Sequence, residues 1–474
     1  MAATETGVLI AGMGPVGATL AALLARHGVS VIACERDKEI YRLPRAAHFD
    51  AEIMRLLQQL GLAEAMLPHS RPIGGYDFIN ADGEMLMQFA TSPETSQGWA
   101  SGYLFHQPAL EEMLRDGLKA ANVETLTGWS LTGFTDDGTG VTATLTDGNE
   151  TQTVRAQFLV GCDGGNSFVR KTLGIGLDDY GFDEPWLVVD TVMPDESHLK
   201  PHGVQLCDPA RPVTIMPMSP GRRRWEFMLL PHETPEEMMA PGKVEALMAP
   251  YMGKGEVEIV RRAVYRFHGL VAKEWRKGRV VLAGDSAHQM PPFAGQGMCS
   301  GLRDAANLAW KLALVLDGKA DIKLLDTYQA EREPHVRGFI ELAIAMGKVV
   351  CMQDAEAAKA RDAGMIAGHK AGGAAPLPPP PPMIGGALHA SPRAGELSPQ
   401  YARFDDARGN GAWLLHRGQS VESDDVEVVD VSGLTQWETW LGEAEAALIR
   451  PDRYVFGTGA ANDLIAAWRK GLAG

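Results

Sequence analysis

With 474 residues, the chain is too long for one hydrophobic core, and two or three domains are expected. Its 60 acidic residues against 44 basic ones leave a formal charge of −16, which argues against nucleic acid or an anionic membrane as partner. The five cysteines (Cys34, Cys162, Cys207, Cys299 and Cys351) are scattered, with no CxxC pair and no Cys/His cluster. A disulfide framework and a metal site are therefore not expected, and a reducing cytoplasm is.

The stretch from Gly7 to Ala25 carries no charge, which raises the question of a leader or a membrane span. No Lys or Arg precedes it, Gly12, Gly14, Pro15 and Gly17 interrupt it, and a second apolar strand follows at once. It reads as part of a soluble fold. Strand Gly7–Ala11, a glycine turn, helix Pro15–His27 and strand Val29–Cys34 form a βαβ unit of the dinucleotide type. Gly12, Gly14 and Gly17 supply its GxGxxG, and Glu35 stands where an acid takes a ribose hydroxyl. A helix is expected over 50–60, with Ile53, Leu56, Leu57 and Leu60 on one face and Gly61 as its stop, and another over 107–120. Short strands follow around 125–146 and 154–160, the last running into Cys162-Asp163-Gly164-Gly165-Asn166-Ser167.

From 181 to 268 the pattern turns strand-rich (WLVVDTV, VTIMPM, RRWEFMLL, EIVRRAVYRF), as in a β-rich domain inserted into the first. Residues 279–312 then read as a buried strand, a Gly284-Asp285 turn, a Pro- and Gly-rich loop and a long amphipathic helix opening near Met298. A carboxylate at a strand end followed by bunched N–H groups at a helix start suits a polar cofactor. Further helix is expected over 324–350. Residues 376–383 form a proline-rich linker, and strands at GAWLLHRG, VEVVDVS and AALIRPDRYVFG with a closing helix form a small third domain.

Three blocks in this order, GMGPVG at 12–17, CDGGNSFVR at 162–170 and AGDSAHQMPPFAGQGM at 283–298, resemble the class A flavoprotein aromatic monooxygenases. The segments PRAAHFD, EPWLVVD, RRWEFMLLP, GLRDAANLAWKL and IRPDRYVFG are similar to the 3-(3-hydroxyphenyl)propionate hydroxylase branch. The resemblance implies an α/β fold with a Rossmann-like FAD-binding domain of the p-hydroxybenzoate hydroxylase type, discontinuous over 1–75, 101–180 and 269–375. It further implies a substrate-binding sheet domain from 76–100 and 181–268, and a thioredoxin-like C-terminal domain over 384–474 that has no cysteine.

By the same resemblance, Gly12, Gly14, Pro15, Val16 and Gly17 would flank the FAD pyrophosphate, and Glu35 with Arg36 beside it would hold the adenosine ribose. Arg45 and Gln107 would meet the pyrophosphate and ribityl side, Leu131 the adenine, and Asp163 both FAD and nicotinamide. Asp285 would bond ribityl or pyrophosphate oxygens, and Pro292, Gly295, Gly297 and Met298 would pass along the flavin ring. The implied reaction takes reducing equivalents from NADH or NADPH and one oxygen atom from O2 to hydroxylate a small phenolic compound, a phenolic acid above all. Asn166 departs from the common DGxxSxVR pattern and leaves the choice of nicotinamide open.

A phenol is activated by easing off its proton, and His48 is the first candidate for that task, followed by Tyr265 and His268. Arg211 and Arg222–Arg224 form a cationic cluster that could receive a substrate carboxylate. An epoxidase or halogenase on the same fold is the alternative, although the WxWxIP segment usual in halogenases is not found. A homodimer is a further expectation.

Overall fold

The computed structural model describes residues 4–42, 45–253, 255–376, 380–418 and 421–474. Pro44 of the PRAAHFD segment and Leu377–Pro379 of the expected linker lie outside the described residues.

The opening strand, Thr4–Ala11, lies at the centre of a mainly parallel sheet. Its neighbours are Val31–Glu35 on one side and Thr151–Gly161 on the other, with Glu124–Thr127 and Val280–Leu282 flanking, all paired in parallel. From Thr6 onward every residue of that strand is buried, which is why the sequence shows an apolar run and not an alternation. Helix Pro15–Arg26 packs against helix Gly297–Leu316, so the two halves of this layer, distant in sequence, share one core.

A second sheet of nine strands stands beside it, mostly antiparallel. Its spine is the pair Leu177–Val192 and Glu258–Ala272, joined to Arg222–Met228, Val213–Pro217, Gly203–Leu206, Tyr76–Ile79 and Met85–Ala90. The two spine strands begin and end beyond the boundaries expected at 180/181 and 268/269, so continuous β-structure joins the two parts. His288–Gln289, from the cofactor loop, pairs onto one edge of this sheet. Ala375–Pro376, where the expected linker begins, pairs onto the other. The loop after Asp285 thus belongs to both halves, which sets the cleft between them.

The C-terminal part has a four-stranded sheet in the order Glu427–Asp430, Trp413–His416, Ala446–Ile449, Val455–Gly459. Helix Thr435–Leu441 covers one face. The other meets helix Ala461–Ala473 and the body of the protein, where Trp310 stacks on Trp468 at 5.6 Å. The docking is polar as well. Arg55 holds Asp405 through two bonds of 2.8 and 2.9 Å. Lys311 and Arg450 both reach Glu331, at 2.9 and 2.7 Å, with all three side chains fully buried. Groups buried in such ion pairs specify an orientation more than they add stability, but losing one partner strands the other charge. Among the described residues, no helix is long and apolar enough to cross a membrane.

Candidate active site

One cleft of about 470 Å³ runs from the glycine turn to the second sheet. At its first end the chain leaves Ala11, turns at Gly12 with φ 98°, and enters helix Pro15–Arg26. A Cβ on Gly17 would fall 1.9 Å from the Gly12 carbonyl oxygen, so a side chain there would push the helix off the turn. Around Gly14 nothing stands within 4 Å of where a Cβ would be, and Gly14, Pro15 and Val16 face the cleft. Neither this helix nor Gly297–Leu316 has a side-chain cap at its start, and both starts line the same cleft. Two sets of first-turn N–H groups, each at the positive end of a helix, therefore converge on one space.

Asp285 is open to that cleft and accepts no hydrogen bond from any described residue. Enclosure by protein pushes its carboxyl above the usual carboxylate range, eased by His288 and Arg45. Hydroxyl donors would satisfy it. Uncapped N–H groups suited to phosphate and carbonyl oxygens, an unpartnered carboxylate suited to ribityl hydroxyls, and open space at Gly14 together fit FAD. Gly14 to Gly17, Asp285 and the Pro292–Met298 loop would hold it.

The remaining expected cofactor residues divide. Glu35 accepts from the backbone N–H of Met13 at 2.9 Å and of Asp37 at 3.1 Å, tying the glycine turn to the strand end. Arg45 and Gln107 line the cleft, and Gln107 Oε1 accepts from the N–H groups of Arg45 and Ala46 at 2.9 and 2.6 Å. Gln107 thus shapes the loop leading to His48. Arg36 points to solvent with its side chain 76% exposed, and Leu131 pairs with Leu145 in an antiparallel meander and does not line the cleft. Asp163 is not on the cleft wall either. It accepts from Ser167 Oγ at 2.5 Å and the Val169 N–H at 3.0 Å, capping the short helix that follows. That helix presents Arg170 to the carbonyls of Ser286 and Gly165, each at 3.1 Å, so the second block braces the third.

His48 sits where the two ends of the cleft meet. Its Nδ1 lies 3.3 Å from the Gly295 carbonyl, which can only accept, so Nδ1 carries the proton and Nε2 is the acceptor of the neutral ring. Burial holds its pKa below the ordinary 6.5, while Asp50 and the Gly295 carbonyl pull the other way. Gly102 backs the ring so closely that a Cβ there would clash with Nε2. Of the other two candidates, His268 lines the mouth, 3.6 Å from Asp183, and Tyr265 does not line the cleft, its ring lying 4.8 Å from the Arg261 guanidinium.

The expected carboxylate receptor is corrected by the structure. Arg211 grips Glu233 at 2.7 Å, Arg223 pairs with Glu196 at 3.3 Å, and Arg224 with Asp190 at 2.7 Å. Arg223 and Arg224 lie on a buried strand and not in a solvated turn, and strand alternation sends Arg224 to Asp190 on the neighbouring strand and Arg223 the other way, to Glu196 in the loop that follows it. Arg222 is on the same strand but does not line the cleft. His288 is structural: it is buried, with Nε2 2.6 Å from Asp304.

Two features escaped the sequence reading. One is the cleft-facing side of the second sheet, where Tyr76, Thr214 and Glu226 join the already noted Arg224 on three strands. The alternation in RRWEFM, with Trp225 and Phe227 facing the other way, was the available signal for Arg224 and Glu226. The other is a relay from the C-terminal part to the cofactor loop. Tyr454 Oη donates to Glu52 at 2.9 Å, Arg303 donates to Glu52 at 2.6 Å and to Gln296 at 2.8 Å, and it also pairs with Asp50. Gln296 immediately precedes the helix start at Gly297, so the C-terminal part anchors the loop along the cleft.

Residues 5–343 match the sequence profile of the family described as FAD binding domain. The chain belongs to that family, in its class A flavoprotein aromatic monooxygenase branch. It is similar to a probable NADH-specific resorcinol 4-hydroxylase of Rhodococcus jostii (strain RHA1), at 40% identity over 97% of this chain and 94% of the relative. It is also similar to the 3-(3-hydroxy-phenyl)propionate/3-hydroxycinnamic acid hydroxylase of Comamonas testosteroni, at 39% identity over 77% of this chain but only 62% of that protein. In three dimensions it resembles aklavinone-11 hydroxylase, crystallised with FAD and aklavinone, with a TM-score of 0.80, 26% identity and full coverage of both chains. The flavin-dependent monooxygenase PieE shares the fold with a TM-score of 0.83 at 22% identity, over 99% of each chain.

Proposed function

We propose that the chain hydroxylates a phenolic ring, consuming NADH and O2 and releasing NAD⁺ and water. The observation that carries this reading is the continuity of one cleft. Its first part offers two uncapped helix starts and the open Asp285, and its second offers an apolar chamber with a few polar groups. FAD, when bound, supplies the redox and oxygen chemistry. The name of the Rhodococcus jostii relative supports NADH as the reductant.

The chain's own residues would do the rest. Phe293, edge-on to Phe182, Trp186 and Phe267 at 5.8–6.1 Å, builds a dry wall beside the loop that would carry the flavin ring. Excluding water there protects the oxygen-transfer step. N–H groups at Gly297 and Met298 would oppose negative charge developing on the cofactor, an effect worth roughly 3 kcal/mol for one well-placed donor. His48, neutral with Nε2 as acceptor, is the candidate to take the phenolic proton.

The separate sheets support the expected division into FAD-binding, substrate-binding and C-terminal domains. Five cysteines without a disulfide support a reducing, cytoplasmic setting.

The test is direct. Purified protein supplemented with FAD is expected to be yellow and to oxidise NADH faster when a phenol is present, with ¹⁸O from O2 appearing in the product. A protein that retains no FAD, or that shows no phenol-stimulated NADH oxidation, would overturn the reading.

A further inference from the structure

The inner end of the cleft carries an unusual balance of charge and hydrogen-bonding capacity. Strand alternation puts Arg224 and Glu226 on its wall, with Thr214 beside Glu226 on the next strand and Tyr76 beyond. Tyr76 Oη and Thr214 Oγ1 both donate to Gln205 Oε1, at 3.2 and 2.8 Å. The Tyr76 hydroxyl then has only its acceptor lone pairs left for a ligand, and the single Thr214 proton is shared between Gln205 and the neighbouring Glu226. Glu226 is acceptor-only when ionised, so this end of the site asks for donors.

The cations of the cleft wall do not reverse that balance. Among the described residues they are Arg45, Arg224 and Arg266. Arg224 is committed to Asp190 through Nε at 2.7 Å and Nη2 at 3.2 Å, and donates to the Arg45 carbonyl at 2.9 Å. Its remaining reach is toward Glu226, at 3.8 Å. Arg266 stands at the mouth, 59% exposed and paired with Asp183 at 2.9 Å. Arg45 lies at the cofactor end, its guanidinium 5.9 Å from the Tyr41 ring and its charge acting on Asp285.

On the proposed-function reading, we infer that Glu226 is a specificity-determining residue. Its carboxylate accepts a hydrogen bond from a second ring hydroxyl, so the site selects neutral di- or polyhydroxybenzenes over phenols bearing a carboxylate. Burial pushes the Glu226 carboxyl above its usual range despite Arg224 nearby, so an added donor relieves a group that lacks solvent. A substrate carboxylate would instead meet a like charge where water is scarce.

The experiment uses the FAD-loaded full chain, with resorcinol and 3-(3-hydroxyphenyl)propionate as probes. Binding is read by the change in flavin absorbance and by calorimetry, and stimulation by NADH oxidation. The wild type is expected to bind resorcinol at least about tenfold more tightly than the arylpropionate. Glu226→Gln is expected to weaken resorcinol binding roughly ten- to hundredfold, with FAD occupancy unchanged and discrimination against the acid reduced. Glu226→Asp, which keeps the charge, is expected to fall between the two, and it serves if the Gln variant misfolds. Wild-type preference for the arylpropionate, or unchanged resorcinol affinity in the Gln variant, would overturn the inference while leaving a phenol hydroxylase in place. If neither probe binds or stimulates NADH oxidation, and other phenols fail too, the proposed function itself falls, and the inference with it.

Discussion

At the cofactor end of the cleft, backbone would do most of the binding work on the proposed reading: two helix starts, a glycine turn and one carboxylate, drawn from short contiguous blocks. At the substrate end the wall is side chains, with Tyr76, Thr214 and Glu226 on three strands that meet only in the folded sheet. The contrast has a physical origin. A cofactor of fixed shape is held by geometry that few residues allow, glycine above all, so the positions are constrained one by one. A substrate pocket needs only a certain balance of donors, acceptors and volume, which many residue sets can meet. The first end is therefore readable in the chain and brittle to substitution, and the second is neither.

The largest expected break in that contrast is Gly17→Ala. The added methyl meets the Gly12 carbonyl oxygen at 1.9 Å, so the turn must move, and FAD retention should be lost along with several degrees of melting temperature. An Ala variant with full FAD content would show the turn to be more forgiving than its geometry implies. Next, Asp285→Ala should weaken FAD binding by roughly ten- to hundredfold, with the stability of the FAD-free protein little changed, because no protein group loses a partner. Equilibrium dialysis against FAD checks this; unchanged occupancy refutes the assigned role.

Tyr454→Phe probes the link between the two ends and the C-terminal part. Removing the donor to Glu52 should cost about 1–2 kcal/mol in chemical denaturation and loosen the Gln296 loop, seen as faster amide exchange at residues 295–298.

The pH dependence of stability addresses the same docking surface. Burial opposes the charge of Glu331, but Arg450 and Lys311 overcome this and hold its pKa at about 2, against an ordinary 4.5. Its contribution is therefore present above pH 4.5 and lost as pH falls through about 2, since the unfolded chain takes up the proton first. The stability difference between wild type and Glu331→Gln should shrink across that window. Lys311, lowered by burial to about 8, acts the opposite way, its penalty easing as pH rises from about 8 toward 10.5. The smallest effect belongs to Arg36→Ala. With its side chain 76% exposed, a change within about 0.5 kcal/mol is expected in stability. A large loss of FAD affinity would restore Arg36 to the cofactor site.

The blocks at 12–17, 162–170 and 283–298 were legible because each encodes a backbone event of its own: a turn, a cap, a helix start. The second holds more than its sequence shows. Asp163, read as a ligand-binding acid, caps the helix that delivers Arg170 to the third block, a role its Ser167 and Val169 partners make plain only in space. The Arg222–Arg224 cluster misled, since a run of cations does not show that Glu196 in a loop and Asp190 on the neighbouring strand stand opposite two of them.

Local chemistry along the chain was thus enough to mark the βαβ frame, the helix starts and a site for a polar cofactor, because hydrogen bonding and φ preferences act over a few residues; FAD itself was implied by the family resemblance. The pairing of Glu226 with Thr214, the placing of Tyr76 on the same cleft wall, the occupation of Arg224 by Asp190, and the anchoring of the Gln296 loop by Tyr454 through Glu52 were decided only by the tertiary structure. They depend on strand register and docking between segments tens to hundreds of residues apart, and no local pattern carries that register.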